Sequence, residues 1–319
     1  MASGFPNSPQ LSLQQMRGFL SKSLSSLNAN KLNGLLAEID FRERLGSLGF
    51  AGRVSAGGWI VRSQGNREFG HKTLVLFPMA IEPDAAYPQG GVPDPPLGLH
   101  TICATFHQIG IQSYYCVPNV TGDAAATTWM CKQLGIPKSL PYQPLSAIAE
   151  GFTPRSRAYN FLRYGTDAAQ IPDGAVGEEY AKESLRVAFQ SAFLCEISDV
   201  DGVLWGNQYT YPMEIKEKTV AADRNLGPYF GIDVGPFVKL AFYAAKRGNL
   251  HSLFVVREIS DVSTRKLQQW WVITFELLAQ FASWVPQGGG PTMLGGRSAV
   301  VRVPRAEFSK LDADTLARL

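Results

Sequence analysis

The chain has 319 residues, 45% of them hydrophobic and 18% charged, with a formal net charge of +3. This is ordinary globular composition, long enough for about two domains that each bury a core, and too mildly basic to establish a nucleic-acid partner by charge alone. No apolar run reaches the ~18 residues of a membrane span, and the opening MASGFPNSPQLSLQQM lacks the basic and apolar regions of a secretion signal, so the expectation is a cytoplasmic protein with no membrane partner.

From the N-terminus, Leu13, Met16, Leu20, Leu24 and Leu27 have the spacing of an amphipathic helix over 11–27. Leu32, Leu35, Leu36, Ile39 and Leu45 predict a second helix over 31–48, with Gly49 as its stop. RVSAGGWIVRSQ reads as two short strands around Gly57-Gly58. Two helices and a hairpin are the outline of a winged helix, and the hairpin and its tail carry Arg53, Arg62, Arg67, His71 and Lys72 as candidate DNA contacts. TLVLFPMAI is a buried strand, 82–98 a Pro/Gly-rich loop, LHTICATFHQIG a helix and IQSYYCVPNV a strand.

A helix is expected over 124–134, ending at Gly135-Ile136-Pro137. It could equally open a helix-turn-helix, although Pro141 and Pro144 argue against a long recognition helix directly after it. The choice between these two DNA-reading elements stays open at this level. Cys103, Cys116, Cys131 and Cys195 form no CxxC pair and no zinc spacing, so they read as reduced, buried thiols.

The segment 151–174 is rich in Pro, Gly, Arg and Tyr and reads as a junction between domains 1–155 and 156–319. Residues 1–155 hold 12 Lys/Arg against 9 Asp/Glu, and 156–319 hold 18 of each, so the positive excess lies in the first half. Beyond the junction AVGEEYAKESLRVAFQSAF is a helix, FLCEISDVDGVLW a strand entering a turn, and YPMEIKEKTV a second strand. DVGPFVKLAFYAAKRGN follows as a helix closed by Gly248-Asn249, then SLFVVREI as a strand. A stripe of Leu267, Trp270, Trp271, Phe275, Leu278, Phe281 and Trp284 predicts a helix over 264–284, serving the core or a subunit interface.

Glu214 and Lys216 stand two apart on a predicted strand and so share a face with Lys218. A hairpin returning from Gly206-Asn207 brings Asp201 beside Glu214. Two carboxylates in one small volume repel, and a hard divalent cation relieves that repulsion. An ammonium at Lys216 would stabilise an attacking hydroxide or the charge on a phosphate. HExxH, Walker A, GxSxG and dinucleotide fingerprints are absent from the sequence. Taken alone, a Glu-x-Lys-x-Lys strand also describes a solvated sheet face, and Asp201-Gly202 a simple turn.

Asp201-Gly202-Val203-Leu204 followed by Glu214-Ile215-Lys216 resembles the active-site motif of the PD-(D/E)xK nuclease superfamily. The resemblance implies an α/β (α+β) fold with a restriction-endonuclease-like α-β-β-β-α-β core over about 174–259. It also implies Mg²⁺ held by Asp201 and Glu214, and Lys216 as the catalytic lysine. Glu183 or Glu179 on the preceding helix could add an acid, and Asp199, two before Asp201 on the same strand, could be the true ligand. Lys239 and Tyr243 fall where one branch of the superfamily carries Gln and Tyr. Val200 departs from the motif's usual proline.

The layout is similar to type II restriction endonucleases that join an N-terminal winged helix to a C-terminal nuclease. That likeness implies a homodimer cutting double-stranded DNA at a short palindrome, with the first half reading sequence. The alternatives are a structure-specific repair or recombination nuclease and a non-catalytic DNA-binding protein on the same fold.

Overall fold

The structure is a computed structural model that describes residues 10–24, 29–64, 72–85, 94–108, 110–120, 122–157, 168–244, 250–288 and 297–319. In chain order it begins with α1 (Leu13–Ser23), α2 (Ala29–Ser47), β1 (Val54–Ser55), β2 (Gly58–Ser63), β3 (Thr73–Pro78), α3 (Leu97–Gln108), β4 (Gln112–Asn119), β5 (Thr128–Leu134), β6 (Gln143–Pro144), α4 (Leu145–Ile148), α5 (Asp173–Ala192) and β7 (Cys195–Val200). It continues with β8 (Gly202–Trp205), β9 (Thr210–Lys218), β10 (Ala221–Asp223), β11 (Gly227–Asp233), α6 (Val234–Ala244), β12 (Leu253–Ile259), β13 (Leu267–Thr274), α7 (Phe275–Phe281), β14 (Ser283–Gly288), β15 (Arg297–Pro304), β16 (Ser309–Lys310) and α8 (Ala313–Arg318). The class is mixed α and β, as expected.

The chain divides into two compact units, Met1–Ile39 with Ala56–Val200, and Asp40–Ser55 with Asp201–Leu319. The junction expected between 155 and 156 therefore falls inside the first unit, and residues 158–167 lie outside those described. Contacts, rather than Pro/Gly content, define the break. Residue 200/201 separates β7 from β8, so the block expected to be one nuclease core contributes α5 and β7 to the first unit and β8 onward to the second.

The first unit is built on a six-stranded sheet in the order β6-β5-β4-β3-β2-β7, parallel only between β3 and β4. Leu74–Phe77 are all buried, as a central strand covered on both faces requires. α1 begins in a capping box. The Ser12 hydroxyl accepts from the Gln15 N–H at 3.2 Å, and Gln15 Oε1 accepts from the Ser12 N–H at 2.8 Å. Its buried face, with Met16 and Leu20, joins a core containing Tyr180, Leu185 and Phe189 of α5.

In the second unit a six-stranded sheet runs β1-β8-β9-β12-β13-β16, and a four-stranded antiparallel sheet runs β10-β11-β15-β14. β9 and β12 are parallel neighbours, so the chain between them must cross over, and α6 lies in that crossover. The larger sheet buries apolar side chains on both faces. Met213, Ile215, Leu253, Val255, Trp270 and Val272 face one core with Phe41 and Leu316. Phe254, Val256, Trp271 and Ile273 face the other with Leu240 of α6 and Leu278 of α7.

Three sequence expectations are corrected. Strands do form on either side of Gly57, but β1 pairs with β8 while β2 pairs with β3 and β7, so they make no hairpin and no wing of their own. Residues 128–134 are a strand, not a helix. The side chains of Trp129, Cys131 and Leu134 are buried, and all seven residues pair with β4, which also removes the helix-turn-helix alternative. Residues 267–274 are also a strand, and only 275–281 of the aromatic stripe are helical. Burial on both sheet faces gives β13 consecutive apolar residues, a pattern that period counting cannot distinguish from a buried helix.

The four cysteines are free and buried, as expected. Burial pushes the Cys103 thiol up to about 12 and the Cys195 thiol up to about 11. Inert thiols follow. At pH 8 the native protein should react with less than about one equivalent of a thiol reagent in minutes, and with all four cysteines after denaturation. Ellman titration with and without guanidinium checks this.

Candidate active site

The centre of the site is set by strand register. Gly202 pairs with Met213 across the antiparallel β8–β9 hairpin, so Asp201, one step earlier, stands across from Glu214, one step later. The chain reverses through Gly206, whose N–H donates to the Tyr209 carbonyl at 2.9 Å. Asp201 is locked in place because its Oδ2 accepts from the Ile215 backbone N–H at 2.8 Å. Gly202 is not a turn residue but the first residue of β8. A Cβ there would come 2.7 Å from Met213 Cε, the mobile end of that side chain, and 3.1 Å from the Ser55 carbonyl oxygen, so β1, β8 and β9 approach closely at this point.

Asp201 and Glu214 are each 1% exposed. Two anions buried this deeply need cations. Lys216 Nζ lies 2.7 Å from Glu214 Oε1 and 3.9 Å from Asp201 Oδ2. Lys239 Nζ, from α6, lies 2.5 Å from Glu214 Oε2 and 4.0 Å from Asp201 Oδ1. Each lysine therefore bonds Glu214 and stands within 4.0 Å of Asp201, and the four side chains sum to zero formal charge.

The strand alternation that predicted the pairing of Glu214 with Lys216 is visible in their neighbour. Glu217 turns to the other face and pairs with Arg257 at 3.0 Å and Arg265 at 2.8 Å. Lys218 returns to the Glu214 face. Burial lowers its ammonium below the ordinary lysine range and the nearby Lys216 charge adds to this, while Asp233 and Glu214 oppose it.

The structure brings together Asp201, Glu214 and Lys216, adds Lys239 to them, and sets Lys218 near. Tyr243, one helical turn after Lys239 on α6, is buried. The proposed accessory acids belong to the first unit. Glu183 is buried in an ion pair with Arg186, one turn further along α5, which occupies both carboxylate oxygens. Asp199 is on β7 opposite Trp59. Its carboxylate lies within 4.8 Å of that of Glu38, a residue sequence reasoning did not single out. Glu38 in turn pairs with Lys182 at 2.9 Å, both side chains under one tenth exposed. Burial raises the Glu38 carboxyl above its ordinary range, Lys182 pulls it down, and Asp199 and Glu179 push it further up. On α2, Glu38 stands among Asp40, Arg42, Glu43 and Arg44, a pattern that reads in sequence as an ordinary charged helix face.

The candidate DNA contacts are divided between the two units, Arg53 in the second and Arg62 and Lys72 in the first. Arg53 belongs to the second unit, donates to Asn207 Oδ1 at 2.8 Å and lies over the Phe50 ring. Arg62 belongs to the first unit and pairs with Glu196 directly across from it on β7. Lys72 donates to the Ile148 carbonyl at 3.1 Å and to that of Glu150, which ties down the end of α4. Arg67 and His71 lie outside the described residues.

Comparisons with protein-family models, with curated proteins and with solved structures find no match for this chain.

The Asp201–Ile215 bond separates two roles that one substitution would confuse. Asp201→Asn removes the charge but can still accept from the Ile215 N–H, whereas Asp201→Ala leaves that buried donor unmet. Asp201→Ala should be less stable than Asp201→Asn by about 1–3 kcal/mol in urea unfolding, and equal stabilities would show that the bond contributes nothing.

Proposed function

We propose that this chain is a Mg²⁺-dependent endodeoxyribonuclease, a type II restriction enzyme that hydrolyses double-stranded DNA at a specific sequence as a homodimer. The observation that carries the reading is the placing of Asp201 and Glu214, from two paired strands, in one buried volume with Lys216 on the Glu214 face. The motif resemblance supplies the substrate class. The donor set fits the metal, because both carboxylates present hard oxygen ligands and no sulfur or imidazole competes there among the described residues.

Asp201 and Glu214 would hold the ion. Magnesium, when bound, supplies an activated water and a Lewis-acid contact to the phosphate. The Ile215 N–H orients the Asp201 carboxylate through Oδ2. Lys216, at 37% side-chain exposure, is the cation of the pair that solvent reaches most readily, and its ammonium would stabilise the attacking hydroxide or the charge gathering on the phosphate. Burial by the two apolar cores lowers the local dielectric and strengthens both effects.

Sequence reading is assigned to the first unit, Met1–Ile39 with Ala56–Val200, which carries Arg62 on β2. Arg62 and Glu196 are 53% and 54% exposed, so a DNA phosphate could replace the carboxylate at small loss. A two-fold dimer would present two such sites to the two strands of a palindrome.

The test is digestion of a plasmid of known sequence with purified full-length protein. Discrete fragments with Mg²⁺ or Mn²⁺, none after chelation, and binding without cleavage in Ca²⁺ are expected. Asp201→Asn, Glu214→Gln and Lys216→Ala should each lower cleavage by about 10²-fold or more while remaining folded. Cleavage undiminished by chelation would remove the metal mechanism, a smear would remove sequence specificity, and an intact plasmid in every metal would remove the nuclease.

A further inference from the structure

Asp201 and Glu214 together need two cations, and both lysines that supply them bear on Glu214, on different oxygens and from different elements. Lys216 is supplied by the strand that carries Glu214. Lys239 is supplied by α6, which packs against β9 and β11, and its side chain is 19% exposed beside the buried Leu240. The lysine at 216 is what the motif asks for. The one at 239 is an additional unit charge held against the same two acids.

We infer that Lys239 is a built-in counter-cation of the metal site, which holds the Glu214 carboxylate in the metal-free protein and passes to the scissile phosphate when metal is bound. The inference rests on the reading of Asp201 and Glu214 as metal ligands. It follows from charge. Counted over these two acids and two lysines, the empty site sums to zero, and a divalent ion must displace an ammonium from Glu214 Oε2. Once a divalent ion is held, the site sums to +2, matching the two negative charges of a pentacoordinate phosphorane. Without Lys239 those sums become −1 and +1. The lysine therefore weakens metal binding and strengthens the transition state, two effects of opposite sign from one side chain. A residue that only fills space or steadies α6 would give neither.

The experiment is direct titration of full-length protein with Mn²⁺, read by electron paramagnetic resonance of the free ion with no DNA present. It is paired with single-turnover cleavage at saturating Mn²⁺. Lys239→Met, close in length and neutral, should bind Mn²⁺ roughly tenfold more tightly than the unsubstituted protein and cleave roughly a hundredfold more slowly. Lys239→Arg, which keeps the charge, should bind Mn²⁺ as the unsubstituted protein does. Circular dichroism melts establish folding, and Lys239→Gln replaces Lys239→Met if the latter does not fold.

Unchanged or weaker Mn²⁺ binding in the folded neutral variant overturns the inference while leaving the metal site standing. So does tighter binding with cleavage undiminished. If the unsubstituted protein shows no Mn²⁺ binding that Asp201→Asn abolishes, the metal reading itself fails, and the role of Lys239 fails with it.

Discussion

Two carboxylates buried at 1% exposure set the terms for everything around them. Neither could keep its charge in that position alone, since an unpaired buried ion costs several kcal/mol even after relaxation. The second unit meets this cost with Lys216 from the same strand, Lys239 from the crossover helix, and a backbone N–H donated to Asp201. An arrangement of this kind is a poor way to gain stability, because apolar side chains of similar volume would usually serve as well or better. A metal-binding task for those oxygens, as proposed above, would account for it.

The sheet makes the arrangement possible. β9 is bonded on both sides, antiparallel to β8 and parallel to β12, so its register cannot slip without moving Met213 and Ile215 out of their core. The fixed register aims Glu214 and Lys216 at the α6 side and Glu217 at the opposite side, where Arg257 also reaches Asp40 at 2.6 Å. The polar groups are thus few, paired and held by an apolar frame. Positional accuracy of this kind is what a reaction centre requires.

Much of this was legible in the residues. The Glu-x-Lys spacing on a strand, the Asp-Gly before a hairpin, and the helices over α1, α2, α3 and α5 all follow from local periodicity and are where they were expected. What failed was anything decided by tertiary context. β5 and β13 carry runs that suit a helix, and only their pairing partners make them strands. The hairpin expected at Gly57-Gly58 was lost because β1 and β2 each found a better edge elsewhere. Gly202 reads as a turn residue in sequence, yet it opens β8 where three strands approach closely. Lys239 was visible only as a position on a helix. That it reaches Glu214 depends on where α6 packs, which no spacing within the helix encodes.

The central claim is that Asp201 and Glu214 form one divalent-cation site. Crystals of the protein soaked in Mn²⁺ and measured at an energy where manganese scatters anomalously test it most directly. The account predicts an anomalous peak within coordination distance of oxygens from both Asp201 and Glu214, with the Lys239 ammonium withdrawn from Glu214 Oε2. A fully soaked crystal with both ammoniums still on Glu214 and no peak between the carboxylates, or with manganese bound only elsewhere, would contradict it.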